Sequence, residues 1–338
     1  MTKLLMSMVA LGKSAKVSDA GIPASWKKRW PSTDSPANGK RDDNTLSFDV
    51  GRYSVIYGFM PAPIPDLEPL CKNAPQWPEA AAEMQRHQQH VIVTVRGDGK
   101  PIEAMHVLTQ ATVALIDACD DAIGVFWFHS EMVTSAPQFC EIACEFVPKS
   151  PPLPLWVNVV VSKQSDGSLR GATKGLAALG LMEFESQNSP EPPEEFLGRL
   201  LGLSAYVIEN GLIIKDGDTI GESERERIKV TYAPSAFGAE GNVMRLDYAA
   251  SGETGLRMTS YGCWHSVATL AGTIAFGWWL YLVFPILRGS LFRHCMVVPL
   301  VLLFGVMLLM VSDRLLQRLF GFQAFETPKA TDKPIQDA

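Results

Sequence analysis

The sequence predicts an α+β domain built mainly on antiparallel sheet with helices packed on it, followed by two transmembrane helices. Short β-rich runs alternate with amphipathic helical patterns over residues 1–250, and several runs return on each other as hairpins do. Two long uncharged apolar runs follow between residues 266 and 311. We therefore expect one large domain and a membrane segment.

The first β elements come from apolar stretches near the N-terminus. Residues 4–11 form an apolar run that is short for a signal peptide, and basic residues follow it where a small-residue cleavage site would stand. A first β-strand and no export signal are expected there. Residues 46–60, LSFDVGRYSVIYGFM, predict a hairpin around Gly51. The turn PAPIP at 61–65 excludes a helix interior.

Helices and strands continue to alternate further along the chain. Apolar residues at helical spacing predict helices around 66–74 and 78–88, over 101–119 and 135–146, and from 196 to a stop at Gly211. Ser135 is the expected N-cap of the fourth helix, with Pro137 in its first turn. Apolar and β-branched runs predict strands at 90–95, 123–129, 153–161, 212–221 and 227–234.

The C-terminal part has the composition of a membrane hairpin. Residues 266–287 are 22 positions without a charge, which as a helix spans a hydrocarbon core of about 30 Å. Residues 295–311 form a second run of 17, at the lower limit for a span. A soluble helical pair is disfavoured because both runs are apolar on every side. Residues 251–265 are the expected linker, and 312–338 an amphipathic segment with a polar tail.

The cysteines and the missing export signal decide the predicted orientation. The cysteines lack the regular spacing of a disulfide framework and stand at Cys71, Cys119, Cys140, Cys144, Cys263 and Cys295. Arg288 and Arg293 in the hairpin stand against Arg257, Arg314 and Arg318 on the other side, a margin of one charge. We expect a multi-pass protein of the bacterial inner membrane, with the main domain and the C-terminus cytoplasmic.

The charge balance bears on the class of partner. Residues 1–260 hold 24 Lys and Arg against 32 Asp and Glu, a balance of −8, whereas residues 261–338 have a balance of +2. Nucleic-acid binding needs clustered basic residues, so a nucleic-acid partner is disfavoured. The lipid bilayer and a protein at the membrane are the expected partners.

The segment GATKGLAALG at 171–180 superficially resembles a phosphate-binding loop. Lys174 precedes Gly175 instead of following the last glycine, and neither the phosphate-loop spacing nor G-x-G-x-x-G is met. With Gly171 and Gly180 close by, a bulge or a tight backbone approach within a sheet is the better interpretation.

The segment DGDTIGESERER at 216–227 superficially resembles a calcium loop. Asp216 and Asp218 match the first ligand positions, but Ile220 and Arg227 stand where further oxygen ligands are needed. A β-turn with Asp-Gly is therefore preferred.

His87 and His90, with Cys140 and Cys144, contain the donor atoms of a zinc site. The two cysteines are four residues apart on a predicted helix and share one side of it. Nothing in the sequence brings the two pairs together, and the cysteine side of the helix is also its apolar side. Packing is therefore the preferred role, and acidic neighbours in sequence disfavour a reactive thiol.

His129, Ser130 and Glu131 are adjacent at the end of a predicted strand, so successive side chains point to opposite faces and do not form a triad. No catalytic, cofactor-binding or metal-binding residue is assigned, and no cofactor is expected. If the protein is an enzyme, the first residues to test are His87, His90, His129 and Asp218.

Several segments occur in a fixed order that is similar to a known family. They are PAPIP at 61–65, HVIVTV at 90–95, LTQATVALIDA at 108–118, GVFWFHSEMVTSAPQF at 124–139, LPLWVNVVV at 153–161, GLAALGLMEFE at 175–185 and LSAYVIENGLIIKDGDTIG at 203–221. Over about residues 3–250 the chain resembles the bacterial domain of unknown function family 4261. The resemblance implies no activity, ligand or catalytic residue, and the hairpin is an addition to the family's usual soluble form.

The sequence favours a membrane-tethered, non-enzymatic binding or interaction module of unknown ligand, for example an immunity or stress-response component. Tethering raises the effective concentration near a membrane partner. One alternative is an enzyme with an unassigned site. The other is a two-helix membrane effector with a sensor domain, in which the small residues Gly272, Ala275 and Gly277 allow close helix packing.

Overall fold

Two β-sheets organise the residues that the computed structural model describes, which are 4–74, 76–221 and 226–248. The strands are β1 (Leu5–Leu11), β2 (Ala37–Asp42), β3 (Thr45–Val50), β4 (Tyr53–Met60), β5 (Gln89–Gly97), β6 (Ala122–Trp127), β7 (Met132–Ser135), β8 (Asn158–Lys163), β9 (Leu169–Lys174), β10 (Phe184–Ser189), β11 (Thr219–Ile220), β12 (Ile228–Pro234) and β13 (Asn242–Asp247). Within these residues the large sheet has the order β2-β3-β4-β5-β1-β6-β7 and the small sheet β11-β12-β13-β10-β9-β8.

The helices pack on the faces of the two sheets. They are α1 (Gly21–Arg29), α2 (Glu68–Lys72), α3 (Ala80–Met84), α4 (Pro101–Asp117), α5 (Ala136–Phe146), α6 (Leu153–Trp156) and α7 (Pro193–Asn210), with a 3₁₀ turn at Leu176–Leu179. Helix α4 lies on the large sheet in contact with α1 and α5, and α7 lies on the small sheet. Helices α2 and α3 contact β6 and β7 of the large sheet.

The main hydrophobic core lies between α4 and the large sheet and continues to α7 and the small sheet. Alternate side chains of the strands enter it, as Val91, Val93 and Val95 do from β5. The hydroxyls of Ser7 and Thr112 share a buried hydrogen bond of 2.7 Å between β1 and α4. This bond satisfies two polar groups inside the core, at a place where strand and helix meet.

The small sheet departs from antiparallel pairing at one place among the described strands. Strands β10 and β13 run parallel, with Phe184 beside Met244. A Cβ atom placed on Gly171 of β9 would lie 2.7 Å from the ring of Phe196 on α7. The glycine therefore permits the close approach of helix and strand, which confirms the interpretation of this segment as a tight backbone approach.

The predicted α+β class with mainly antiparallel sheet is confirmed. Residues 4–11 contain β1, and the hairpin within 46–60 is β3–β4, with Gly51 in its turn at a φ of 57°. Helices α4 and α5 lie within their predicted segments. The hydroxyl of Ser135 accepts the backbone N–H of Gln138 at 3.4 Å, as expected of the N-cap.

Two predicted strands are wrong in extent. Residues 153–156 form α6 because the prolines around them suit a helical first turn and donate no ladder hydrogen bonds, so β8 begins at Asn158. Of residues 212–221, Thr219–Ile220 alone pairs as a strand. The sequence analysis also missed elements with weak apolar patterns, which are α1, β2, β7, β9, β10 and β13.

The predicted membrane runs 266–287 and 295–311, the linker 251–265 and the segment 312–338 lie outside the described residues. Within residues 4–74, 76–221 and 226–248, none of the helices has the length and hydropathy that a bilayer span requires.

Gly175 provides a test of the turn after β9. Its φ is 125°, and an ideal Cβ would lie 2.1 Å from the carbonyl oxygen of Trp156. We expect Gly175→Ala to lower the free energy of unfolding by more than about 1 kcal/mol, seen as a lower thermal midpoint of the full-length chain. Gly198→Ala is the control, because Gly198 lies exposed in α7 with open space around its Cβ position. Equal midpoints for the two variants would contradict the geometry.

Candidate functional site

The large sheet leaves one of its faces partly uncovered. Helix α4 covers one face, and α2 and α3 cover the opposite face near β6 and β7. Beyond these two short helices, the second face is exposed or half-exposed across β4, β5 and β1. We call this surface the open face and define it by Leu4, Met6, Ser54, Ile56, Ile92, Thr94, Arg96 and Phe128.

The register of the strands places these residues in cross-strand rows. One row joins Asp49, Ser54 and Arg96. The next joins Ile56, Thr94 and Met6. Side chains in such rows lie about 4.5–5.5 Å apart at their Cβ atoms, so each row forms a continuous strip. The open face thus has a polar strip beside an apolar one.

Two of the side chains on this surface are large, apolar and exposed. Leu4 is 53% exposed and Phe128 is 46% exposed. Antiparallel sheets that have one face in water usually carry polar side chains there. Aliphatic and aromatic residues on such a face are typical of an interaction surface.

An open depression of about 670 Å³ lies at the polar edge of the open face. Leu4 and Ile56 contribute apolar surface to its lining, and Arg52 and Arg96 contribute guanidinium groups. In the described part of the chain, neither guanidinium forms a salt bridge with a carboxylate. Asp49 also lines the depression, which therefore combines two cations and one carboxylate with apolar surface.

His87 and His90 form hydrogen bonds with the backbone of the connection 61–65. The Nε2 of His87 accepts the backbone N–H of Ile64 at 2.8 Å, and its Nδ1 bonds the carbonyl of Met84. The Nδ1 of His90 donates to the carbonyl of Ala62 at 2.7 Å. Burial lowers the pKa of His90, and its hydrogen bond to the carbonyl of Ala62 opposes that shift. Both rings therefore have structural bonds to the backbone.

Cys140 and Cys144 lie elsewhere, on the side of α5 that packs against the main core. Burial raises the pKa of Cys140 to about 12. The Nη1 of Arg29 donates to the Sγ of Cys144 at 3.0 Å, and its Nη2 donates to Asp117 at 2.7 Å. Sequence reasoning considered acidic neighbours of these thiols and missed Arg29, because α1 was not predicted.

The structure therefore does not bring together the histidine pair and the cysteine pair of the zinc-site hypothesis. His87 and His90 contact the backbone near α2 and α3, whereas Cys140 and Cys144 pack beside α4. Among the described residues, no group of three or more His, Cys, Asp or Glu side chains is arranged to hold a metal ion.

The adjacent residues His129, Ser130 and Glu131 have separate surroundings. The Nε2 of His129 accepts the backbone N–H of Met6 at 3.1 Å. Ser130 is fully buried, and Glu131 forms a salt bridge of 2.5 Å with Lys174. The expectation that these three do not make a triad by themselves agrees with this arrangement.

The Asp216–Asp218 segment is a turn stabilised by its own carboxylates. Asp218 Oδ2 accepts the backbone N–H of Lys215 at 2.7 Å, and Asp216 Oδ1 accepts that of Tyr232 at 2.8 Å. Gly217 has a φ of 87°. The prediction of a β-turn is confirmed for the described residues of this segment.

Sequence reasoning missed two buried carboxylates in the segment MEFE. Glu183 accepts the backbone N–H groups of Gly175 at 2.8 Å and Ala177 at 2.9 Å, and the hydroxyl of Thr173 at 2.8 Å. Glu185 is 1% exposed and accepts the backbone N–H of Ala236 at 2.9 Å. Both acids are bonded to connections between elements, which gives them a structural role.

A third group of charges was also missed. Arg199 of α7 donates to Glu191 at 2.6 Å and to Glu226 at 2.7 Å. Burial raises the pKa of Glu191, and the charge of Arg199 opposes that shift. Through these two bonds, Arg199 connects the residues before α7 to the segment before β12.

His106 is the remaining perturbed histidine. It lies on α4 with its ring edge-on to Trp156, at 4.9 Å between centroids. Burial lowers the pKa of His106 to about 4. Its buried Nδ1 has no hydrogen-bond partner among the described residues. The side chain is therefore neutral in the folded protein near pH 7.

The described residues thus form a two-sheet α+β arrangement whose large sheet has one partly apolar, exposed face. Residues 172–247 match the model of the family described as Domain of unknown function (DUF4261). This match runs from β9 to β13 and is shorter than the resemblance expected over residues 3–250. No curated protein and no solved structure matches the chain.

His106 predicts a pH dependence of stability. Its pKa is about 4 in the folded protein and about 6.5 in an unfolded chain, so the unfolded state binds more protons between these values. Stability that is present near pH 7 is therefore lost as the pH falls from 6.5 to 4. We expect the unchanged protein to lose roughly 1–2 kcal/mol more stability over this pH range than His106→Gln does. This figure is smaller than the pKa difference alone gives, because His106 is partly exposed. Denaturant unfolding at pH 7 and 4.5 measures it, and identical losses in both proteins would contradict the assignment.

Proposed function

We propose that residues 1–250 form a non-enzymatic binding module held at the bacterial inner membrane, and that the open face binds a protein partner. The observation that carries this proposal is a partly apolar sheet face next to two guanidinium groups that form no salt bridge in the described part of the chain. Both the main domain and the C-terminus are proposed to be cytoplasmic. The role at the membrane is that of a tethered adaptor.

Three groups suggested for catalysis are used in structural bonds. His87 and His90 bind the backbone of the 61–65 connection, and Asp218 binds the backbone of its own turn. A catalytic acid or base needs hydrogen-bond reach to a substrate proton. These bonds support binding as the function in preference to catalysis.

The shape of the open face favours a protein over a small molecule. Pockets for small ligands bury most of the ligand surface, whereas this depression is wide and its lining residues Leu4, Arg52 and Arg96 are exposed. An apolar centre with charged residues at its rim is typical of protein interfaces. The guanidinium groups favour an acidic rim on the partner.

The sequence supplies the support for the tether. The runs 266–287 and 295–311 have the length and composition of spans, and the absence of charge within them favours an anchor over an ion path.

We also propose that the family resemblance extends over residues 3–171. The continuous hydrophobic core that joins the large and small sheets supports treating these residues as one domain.

Membrane anchoring is tested by fractionation of the full-length chain. We expect it to sediment with membranes at alkaline pH and to be released by detergent. A variant with Ile274→Arg and Leu302→Arg places one charge near the centre of each run, at a cost of about 2.5–3.5 kcal/mol each. This variant should lose most of its membrane association. A wild-type chain that stays in the supernatant without detergent would contradict the tether.

The open face is tested by charge reversal. We expect Ile56→Glu and Arg96→Glu each to reduce recovery of co-purifying partner by at least about tenfold, because each places a carboxylate against an acidic, apolar surface. Leu197→Glu and Lys163→Glu are the matched controls, since these exposed residues lie on α7 and at the end of β8. Equal thermal midpoints show that the variants are folded. Retained partner in both test variants would exclude this face.

A further inference from the structure

The small sheet also has an exposed face, opposite the one that α7 covers. On β9 and β10, Ala172 and Glu185 are paired and point away from the core, whereas Phe184 points into it. Val160 of β8 pairs with Ala172 and is 58% exposed. We call this surface the outer face.

The connection between β12 and β13 is fixed onto the outer face by a buried carboxylate. Glu185 accepts the hydroxyl of Ser235 and the backbone N–H of Ala236. The hydroxyl oxygen of Ser235 in turn accepts the backbone N–H groups of Phe237 and Ala239, both at 3.0 Å. The backbone that carries Phe237 is therefore held by several hydrogen bonds.

Phe237 is nevertheless 42% exposed. The guanidinium of Arg170 lies 5.9 Å from the centre of its ring, and Nε of Arg170 donates to Ser162 at 2.9 Å. A large aromatic ring on a fixed connection loses little conformational entropy when it enters a partner surface. Such a ring beside a cation suits a partner that is apolar below and anionic at its surface.

Basic residues outnumber the exposed acidic ones on this surface, where Arg170, Lys229 and Arg245 stand against Asp247 and Glu240. Arg170 and Arg245 form no salt bridge in the described part of the chain, and Nη2 of Arg245 donates to the carbonyl of Pro234 at 2.7 Å. Among the acids, Glu185 is buried in its own bonds, Asp247 accepts the hydroxyl of Thr231, and Glu240 is exposed next to the 235–239 segment. Residues 1–260 have a net charge of −8, so this basic surface differs in sign from the charge of the domain as a whole.

The position of this sheet in the chain favours lipid as the partner. Strand β13 lies within the small sheet and ends at Asp247, and 18 residues separate it from the apolar run that begins at residue 266. Such a length reaches at most about 60 Å when fully extended. A bilayer that holds the run is therefore always within reach, and a weak surface contact suffices at the resulting effective concentration.

We infer that the outer face lies against anionic lipid, with Phe237 at the level of the headgroups and Arg170 and Arg245 facing lipid phosphate. Aromatic and basic residues are the types that bind such interfaces. This inference rests on the proposed membrane tether and adds the face by which the domain meets the bilayer. It leaves the open face of the large sheet free for a protein.

The test uses the full-length chain reconstituted into vesicles of phosphatidylglycerol that contain a lipid with a photoreactive headgroup. After illumination, peptides are mapped by mass spectrometry. We expect lipid adducts on residues 235–239 at several times the level found on the exposed α7 residue Leu197. Arg170→Glu should reduce these adducts by at least about fivefold, and Lys163→Glu, a basic residue at the end of β8, should not.

The outcomes separate the two proposals. If the chain floats with the vesicles but adducts are equally frequent on α7 and on residues 235–239, the inference is overturned while the tether stands. If the chain floats with the vesicles but residues 235–239 carry no lipid adducts, the outer face does not lie against lipid and the inference is overturned. If the chain does not float with the vesicles, the tether fails and the inference fails with it. Adducts that persist in phosphatidylcholine vesicles would overturn the role of anionic charge.

Discussion

Helix α4 is buried along most of its length, and its packing against the large sheet sets the position of the other layers. Ten of its side chains are buried, from Met105 to Leu115, on more than one side of the helix. A helix that is apolar nearly all round must be surrounded, and α1, α5, β1, β4 and β5 surround this one. Each buried Leu or Val contributes about 1.5–3 kcal/mol by removal from water. Because these contacts use one face of the large sheet, the opposite face is left to the short helices α2 and α3, which cover only its β6–β7 end.

The elements around α4 were predictable from sequence because their apolar periodicity is strong. Strand β5 alternates buried valines, and the β3–β4 hairpin has Gly51 at its turn. Elements at the margin lack that signal. Strand β2 is exposed at every position, and α1 buries Ile22 and Trp26 alone in nine residues, so tertiary contacts rather than pattern define both. Strand β10, FESQNS, is polar in sequence yet central in its sheet.

The candidate surfaces were much harder to predict than the core. The open face is assembled from side chains more than a hundred positions apart, and its rows follow from strand register, which depends on pairings that are not local. The histidines and cysteines that attracted attention as ligands proved to have structural contacts. Conversely, the spacing of Glu183 and Glu185 in the sequence matches no catalytic or metal-binding motif. Their hydrogen bonds to the backbone of neighbouring connections are seen only in the folded structure.

The proposed contact between a negatively charged domain and an anionic bilayer raises a question of repulsion, and its answer depends on distance. At physiological ionic strength charges are screened over about 8 Å, so the balance of −8 over residues 1–260 has little influence on a contact made by one face. The charges within that distance decide the sign of the interaction, and on the outer face Arg170, Lys229 and Arg245 stand against Asp247 and Glu240. The remaining acidic surface then resists any other orientation. In the proposed arrangement, net negative charge and a basic contact face act together, since attraction at one surface and repulsion at the others would fix how the domain is presented to a protein partner.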